Sequence, residues 1–330
     1  MSNIVVILSP TNEGSEIRMK ESQDAAEQVG QIDLRIVDSE QSFDDVAEQC
    51  QGAVVVVPHG KYNELTKLAE KIGSLKLVQT PSAGTDWIDK AALAELGVDV
   101  ANNGGANAVA VAEHAIGLMF STNRKLDVQI ESVKQGTWMA GVEGDRTEFH
   151  TLVGKRIGII GLGRIGSRVA KRLAGWECEL IYHDIIDHPA DYVAATGAKK
   201  VSLEELISTS DIITLHVPLD RVTTHMMSDR EFEKMKPTAI LINTCRGPVV
   251  DENALIRALE SKEIFAAGLD VTEIEPIESD NPLPTMPNVV ITPHLATRAL
   301  ESELNAAQFT MENAGRVVRD KAADWIVKPV

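Results

Sequence analysis

The first hundred positions are organised in blocks of apolar and mixed residues. IVVIL (4–8), LRIV (34–37), AVVVV (53–57), LVQT (77–80) and VDV (98–100) are short apolar runs, the pattern of strands covered on both faces. Between them, stretches near 15–29, 43–50, 62–72 and 91–96 read as helices. This alternation predicts a parallel sheet with helices on both sides. NAVAVAEHAIGLMFSTNRK (107–125) predicts one long, largely buried helix leading into a second unit, with strands expected at 156–160, 179–183, 211–217, 239–243, 266–270 and 288–292. The expected fold class is α/β, with two Rossmann-like, doubly wound parallel-sheet domains.

The stretch RIGIIGLGRIG (156–166) turns the pattern from fold to ligand. Glycine inside a regular element costs about 0.5–1 kcal/mol relative to alanine, so Gly161, Gly163 and Gly166 mark a backbone with a task that side chains would prevent. G-x-G-x-x-G alone is a weak signal. Here it joins an apolar strand to SRVAKRLA (167–174), which has helical spacing, and LIY (180–182) then leads to Asp184, 18 residues beyond Gly166. An acid at that distance accepts hydrogen bonds from an adenosine ribose. The whole is a dinucleotide fingerprint, with phosphates at a helix N-terminus. Asp184 is followed by Ile185 and Ile186, with no nearby arginine to neutralise a 2′-phosphate, so NAD is expected over NADP.

Open parallel sheets bind ligands beyond the carboxyl ends of their strands. Val217 and Pro218 close one strand of the second unit, and Thr244 and Cys245 close another, which makes them candidates to line the cofactor crevice. Arg246 comes next, where a guanidinium can hold a substrate carboxylate and polarise the adjacent carbonyl; a surface pair with Asp251 or Glu252 is the alternative. His294, in ITPHLAT, follows the last strand. A neighbouring carboxylate favours the charged imidazole and fixes its tautomer, which suits a proton donor, and either Glu273 or Glu275 could be that partner. His183 and His216 end strands and could line the crevice, whereas His114 is expected in the core. In the first half, PHGKY (58–62) sets His59 and Lys61 at a strand end, as substrate cations or as a solvated loop. TPSAGTD (80–86) supplies small residues whose N–H groups could grip an anion.

Composition narrows the partners. The chain of 330 residues carries a formal charge of −17, which opposes non-specific binding to nucleic acid or to an anionic membrane. An anionic substrate must then be drawn by local cations. No apolar run approaches the roughly 20 residues of a membrane span. Cys50, Cys178 and Cys245 are an odd number without a C-x-x-C pair, so no metal site is indicated and a cytoplasmic setting is expected.

SAGTDWID, AVAVAEHAIGLM, GKRIGIIGLGRIG, INTCRGPVVDE, GLDVTEIEP and TPHLA together resemble the D-isomer-specific 2-hydroxyacid dehydrogenases, from about Leu75 to about Ala306. The resemblance implies a flavodoxin-like substrate domain, 1–103 with 297–330, interrupted by an NAD-binding domain, 104–296. It implies Arg246, Glu275 and His294 as the catalytic set, Asp270 at the nicotinamide carboxamide, Arg164 and Ile165 over the pyrophosphate, and the Ala83 and Gly84 amides at the substrate carboxylate. It implies a homodimer through about 107–150. The implied activity is NAD-dependent interconversion of a D-2-hydroxy acid and its 2-keto acid, with glyoxylate or hydroxypyruvate first. Cys245 also resembles phosphite dehydrogenases, although SAGTD lacks their lysine. An NAD(H)-sensing corepressor is the non-enzymatic alternative, for which the catalytic set would be superfluous.

Overall fold

The computed structural model describes residues 3–10, 15–138 and 149–328, and the chain divides into two compact units, Met1–Asn107 with Arg298–Val330, and Ala108–Thr297. In the first unit, strands β1 (Ile4–Ser9), β2 (Asp33–Asp38), β3 (Ala53–Pro58), β4 (Leu77–Gln79) and β5 (Asp99–Ala101) alternate with helices α1 (Ser15–Val29), α2 (Phe43–Gln49), α3 (Leu65–Ile72) and α4 (Lys90–Glu95). The sheet is parallel, in the order β2-β1-β3-β4-β5. Strand side chains alternate between faces, so Val6, Leu8 and Val56 pack with Leu68 and Leu93 on one side. Val5, Ile7, Val55 and Val57 pack with Ala25, Met311 and Ala314 on the other.

The second unit contains α5 (Ala108–Arg124), α6 (Leu126–Lys134), β6 (Arg156–Ile160), α7 (Gly166–Leu173), β7 (Glu179–His183), α8 (Ala190–Ala194), β8 (Lys199–Lys200), α9 (Leu203–Thr209), β9 (Ile212–Leu215), α10 (Asp229–Phe232), β10 (Ile240–Asn243), α11 (Glu252–Glu260), β11 (Ala266–Leu269) and β12 (Val289–Ile291). Its seven strands are parallel, in the order β12-β11-β10-β9-β6-β7-β8. The order reverses between β6 and β9, which opens a crevice at their carboxyl ends. Several helices start on side-chain caps: Ser202 accepts from Glu205 N at the start of α9, and Asp251 accepts from Ala254 N at the start of α11.

The last helix, α12 (Leu300–Val318), belongs to the first unit and packs on α1, β3 and β4. A buried hydrogen bond of 2.6 Å from Asn313 Nδ2 to Gln79 Oε1 ties it to β4, and Gln79 Nε2 in turn donates to the carbonyls of Thr80 and Asn102. No helix among the described residues is long and apolar enough to cross a membrane.

Candidate active site

β6 runs into the glycine turn. Gly161 has a φ of 90°, and a Cβ there would stand 2.6 Å from the His216 carbonyl oxygen. At Gly166, the first residue of α7, a Cβ would overlap the Gly161 carbonyl oxygen. These two glycines let β6, α7 and the chain after β9 approach one another. Gly163 is different, because among the described residues nothing lies within 4 Å of where its Cβ would be. Packing inside the protein does not require that glycine; open space beside the helix start does suit a phosphate.

Asp184 follows β7 and is held firmly. Its Oδ2 accepts from Leu162 N at 2.7 Å and its Oδ1 from Ile186 N at 2.8 Å, while His188 Nε2 stands 3.1 Å from Oδ2. Burial raises the carboxyl pKa, but the hydrogen bonds from Ile186, His188 and Leu162 outweigh it and hold Asp184 below its ordinary value. The sequence pattern did not signal His188.

The other cluster comes from three adjacent strands, β10, β11 and β12, whose carboxyl ends lie side by side about 4.8 Å apart per step. Asn243, the last residue of β10, shapes the turn that follows: its Oδ1 accepts from Cys245 N at 3.1 Å and its Nδ2 donates to Arg246 O at 3.0 Å. Arg246 is half-buried, and its Nη1 donates to Cys245 O at 2.7 Å. Beyond β11, Glu275 accepts from Thr272 N at 3.2 Å through Oε1 and meets His294 Nδ1 at 2.7 Å through Oε2. Glu273 is engaged elsewhere, 2.9 Å from His225 Nε2 and accepting from Glu252 N at 3.2 Å. Of the two candidate acids, Glu275 is therefore the one beside His294.

His294 sits in the left-handed region, at a φ of 53°, where a non-glycine residue must be held. Asp270 does the holding. Its main-chain carbonyl accepts from His294 N at 2.8 Å, and its carboxylate accepts from Leu295 N at 3.0 Å, Ala296 N at 2.8 Å and the Thr292 hydroxyl at 2.6 Å. His114 Nε2 lies 2.8 Å from Thr292 Oγ1 and 3.4 Å from Asp270 Oδ1. Because the Thr292 hydroxyl donates to Asp270, its oxygen accepts from His114, which places the imidazole proton on Nε2. Expected as a core residue, His114 instead closes this polar network, its ring partly exposed. Burial raises the Asp270 pKa, but hydrogen bonds from His114, Thr292, Ala296 and Leu295 bring it below the ordinary range.

In the first unit, His59 follows β3, and its main-chain N–H donates to Leu8 O at 2.7 Å. Its Nδ1 is buried without a hydrogen-bond partner among the described residues, and burial, helped by Arg18, pushes the imidazole down to about 4. Lys61 is exposed, as is Ala83, while Gly84 is half-buried. The 80–86 turn is built by the Thr80 hydroxyl, which donates to Ser82 O at 2.8 Å.

Residues 116–296 match the family model described as "D-isomer specific 2-hydroxyacid dehydrogenase, NAD binding domain". The chain belongs to this family. A glyoxylate reductase from Thermofilum pendens is 36% identical over 254 residues, 77% of this chain and 75% of that protein. A D-3-phosphoglycerate dehydrogenase from Archaeoglobus fulgidus is 39% identical over 244 residues, 73% of this chain, but the match spans only 45% of that longer protein. The solved structure of holo D-mandelate dehydrogenase from Rhodotorula graminis superposes with a TM-score of 0.86 at 28% identity, covering 100% of this chain and 99% of that one.

As an NAD-binding domain of the 2-hydroxyacid dehydrogenases, the second unit has the features the cofactor needs. Open space at Gly163 suits the pyrophosphate. The buried Thr244 Oγ1 has no hydrogen-bond partner among the described residues. His216 is held by Thr214, 3.0 Å from its Nε2, and burial pushes it down to about 3, so it stands there as a neutral wall. Burial likewise pushes the Cys245 thiol up to about 11.

Proposed function

We propose that the protein interconverts a D-2-hydroxy acid and its 2-keto acid, with a small acid such as glyoxylate or hydroxypyruvate as the first substrate to test. The observation that carries this reading is the 2.7 Å pairing of His294 with Glu275, two strand ends from Arg246. When bound, NAD(H) supplies or accepts the hydride. In the reductive direction Arg246 holds the keto acid's carboxylate and polarises its carbonyl. Because Nδ1 faces Glu275, the proton passes from His294 Nε2 to the carbonyl oxygen, and in oxidation the same nitrogen takes the hydroxyl proton. The His294 side chain is 40% exposed, so water can restore the proton after each turnover.

The Ala83 and Gly84 amides are assigned to the substrate carboxylate, and His59 and Lys61 to its distal end. With a pKa near 4, His59 serves there as a neutral hydrogen-bonding group, and Lys61 supplies the charge. Asp184, held by three donors that leave an acceptor position for a ribose hydroxyl, keeps its negative charge and so favours ribose hydroxyls over a 2′-phosphate. A homodimer through α5 and the following segment is part of this reading; residues 139–148 of that segment lie outside the described residues. Ile130 and Val133 on α6 and Trp138 after it are more than half exposed, which supports a partner surface there. The three free cysteines fit a reducing cytoplasm.

The test is a panel of keto acids, hydroxy acids and phosphite with NAD(H), followed at the nicotinamide absorbance band. Turnover of a 2-keto acid that falls at least about 100-fold in Arg246→Ala supports the assignment. Turnover of phosphite alone, or of none of these with NADH still bound, would overturn it in favour of a phosphite dehydrogenase or a nucleotide sensor.

A further inference from the structure

Tyr192 is a residue that no part of the hydride chemistry requires. It stands on α8, one βα unit beyond the glycine turn, yet its hydroxyl reaches back to that turn and lies 3.1 Å from both the Leu162 and Gly163 carbonyl oxygens. Its ring stacks on His188, with centroids 5.0 Å apart and planes at 27°. His188 is paired with Asp184, and Asp184 accepts from Leu162 N at 2.7 Å. The contacts close a circuit: Leu162, Asp184, His188, Tyr192 and back to Leu162.

The circuit has a directional consequence. A trans peptide is planar, with its C=O and N–H pointing opposite ways. The Leu162 carbonyl shares its plane with the Gly163 N–H, and the Gly163 carbonyl shares its plane with the Arg164 N–H. Drawing both carbonyls onto one hydroxyl therefore turns the Gly163 and Arg164 N–H groups away from Tyr192. The Gly163 carbonyl also accepts from Ser167 N at 3.0 Å, which fixes that plane against the first turn of α7. Successive N–H groups turned the same way form an anion-binding nest, and Gly163 is the one glycine of the turn with open space beside it.

We infer that Tyr192 is a positioning residue that presets the glycine turn for the cofactor's pyrophosphate, while the same circuit holds Asp184 at the ribose. This rests on the NAD-binding reading of the second unit. Setting the peptide planes before binding removes part of the ordering cost of binding. The benefit would fall on the pyrophosphate, the anionic group that such N–H groups favour.

Tyr192→Phe keeps the ring stacked on His188 and removes only the hydroxyl. Binding of ADP-ribose, NADH and adenosine to the full chain is measured by calorimetry and, for weak adenosine, by NMR titration. The expected result is a loss of roughly five- to tenfold for ADP-ribose and NADH, the scale of one hydrogen bond, with adenosine affinity within about twofold of the unaltered protein. Unchanged ADP-ribose affinity overturns the proposal. An equal loss for adenosine and ADP-ribose also overturns it, because it reports damage to the whole pocket. His188→Phe, which keeps an aromatic ring against Tyr192 and removes the partner of Asp184, should instead weaken adenosine and ADP-ribose alike; a loss confined to ADP-ribose would contradict the division of labour. Failure of the unaltered protein to bind ADP-ribose or NADH would overturn the NAD-binding reading and the proposal with it.

Discussion

Replacing Asp270 by Asn tests whether one carboxylate holds the His294 loop. The side chain is 1% exposed and accepts three hydrogen bonds, from the Thr292 hydroxyl and Leu295 N at Oδ1 and from Ala296 N at Oδ2. The amide can match only one side. With its oxygen at the Oδ1 position, its NH₂ faces the Ala296 N–H, and one buried donor is orphaned at a cost of about 1–3 kcal/mol. The two remaining bonds change from charged to neutral acceptors, a further loss of about 1 kcal/mol each. The expected destabilisation is about 3–5 kcal/mol, a large share of the roughly 5–15 kcal/mol that holds a folded protein. Urea unfolding at pH 7 followed by circular dichroism measures it, and kcat should fall with it because the left-handed His294 loses its support. The acid dependence gives an independent check. The folded pKa of Asp270 is depressed below its unfolded value of about 3.9, so its stabilisation is fully present above that pH and is lost as pH falls through the folded pKa. Asp270→Asn should therefore flatten the acid limb of the stability profile. A loss below about 1 kcal/mol with unchanged kcat would refute the reasoning.

Other outcomes follow from the same geometry. His294→Asn should lower kcat for keto-acid reduction by about 10²–10⁴ with NADH affinity nearly intact, whereas Glu273→Gln, directed at His225, should change kcat less than threefold or so; the opposite ranking in steady-state kinetics would reassign the acid. Asp184→Ala should weaken NADH and narrow the preference over NADPH, and equal kcat/KM for both cofactors in the unaltered enzyme would remove the argument from ribose recognition. With its pKa near 11, Cys245 is a neutral thiol at pH 7.5, so iodoacetamide labelling followed by mass spectrometry should be slow there and accelerate only as pH rises toward that value; rapid labelling at neutral pH would contradict it.

The fold was legible because its central strands announce themselves. AVVVV and IVVIL, buried on both faces, read as strands without any help from context. β8 did not: Lys199 and Lys200 are both exposed, and an edge strand of two lysines has no apolar signature. Arg246, Glu275 and His294 could be offered as candidates because each follows a recognisable strand, but preferring Glu275 to Glu273 took the family resemblance, because the turns that set Glu275 beside His294 are not encoded in periodicity. His188 reaches Asp184 through a tight turn in which Asp184 accepts from Ile186 N, a local geometry that DIIDH does not advertise. His114 was concealed by its own helix, whose apolar composition suggests core; its partner Thr292 lies 178 positions away.

The return of α12 to the first unit has a consequence for how the protein is made. Val5, Ile7, Val55 and Val57 emerge early from the ribosome, but Met311 and Ala314, which cover them, are synthesised only after the entire second unit. At about 5–20 residues per second, the 190 residues from Ala108 to Thr297 impose a wait of roughly 10–40 seconds. During that interval the second unit can complete its own sheet, while one face of the older sheet has only α1 to cover it and lacks its α12 partner. The unit begun before the other is thus the last to finish folding, and the part of its valine face that awaits α12 is the surface a chaperone would meet on the nascent chain.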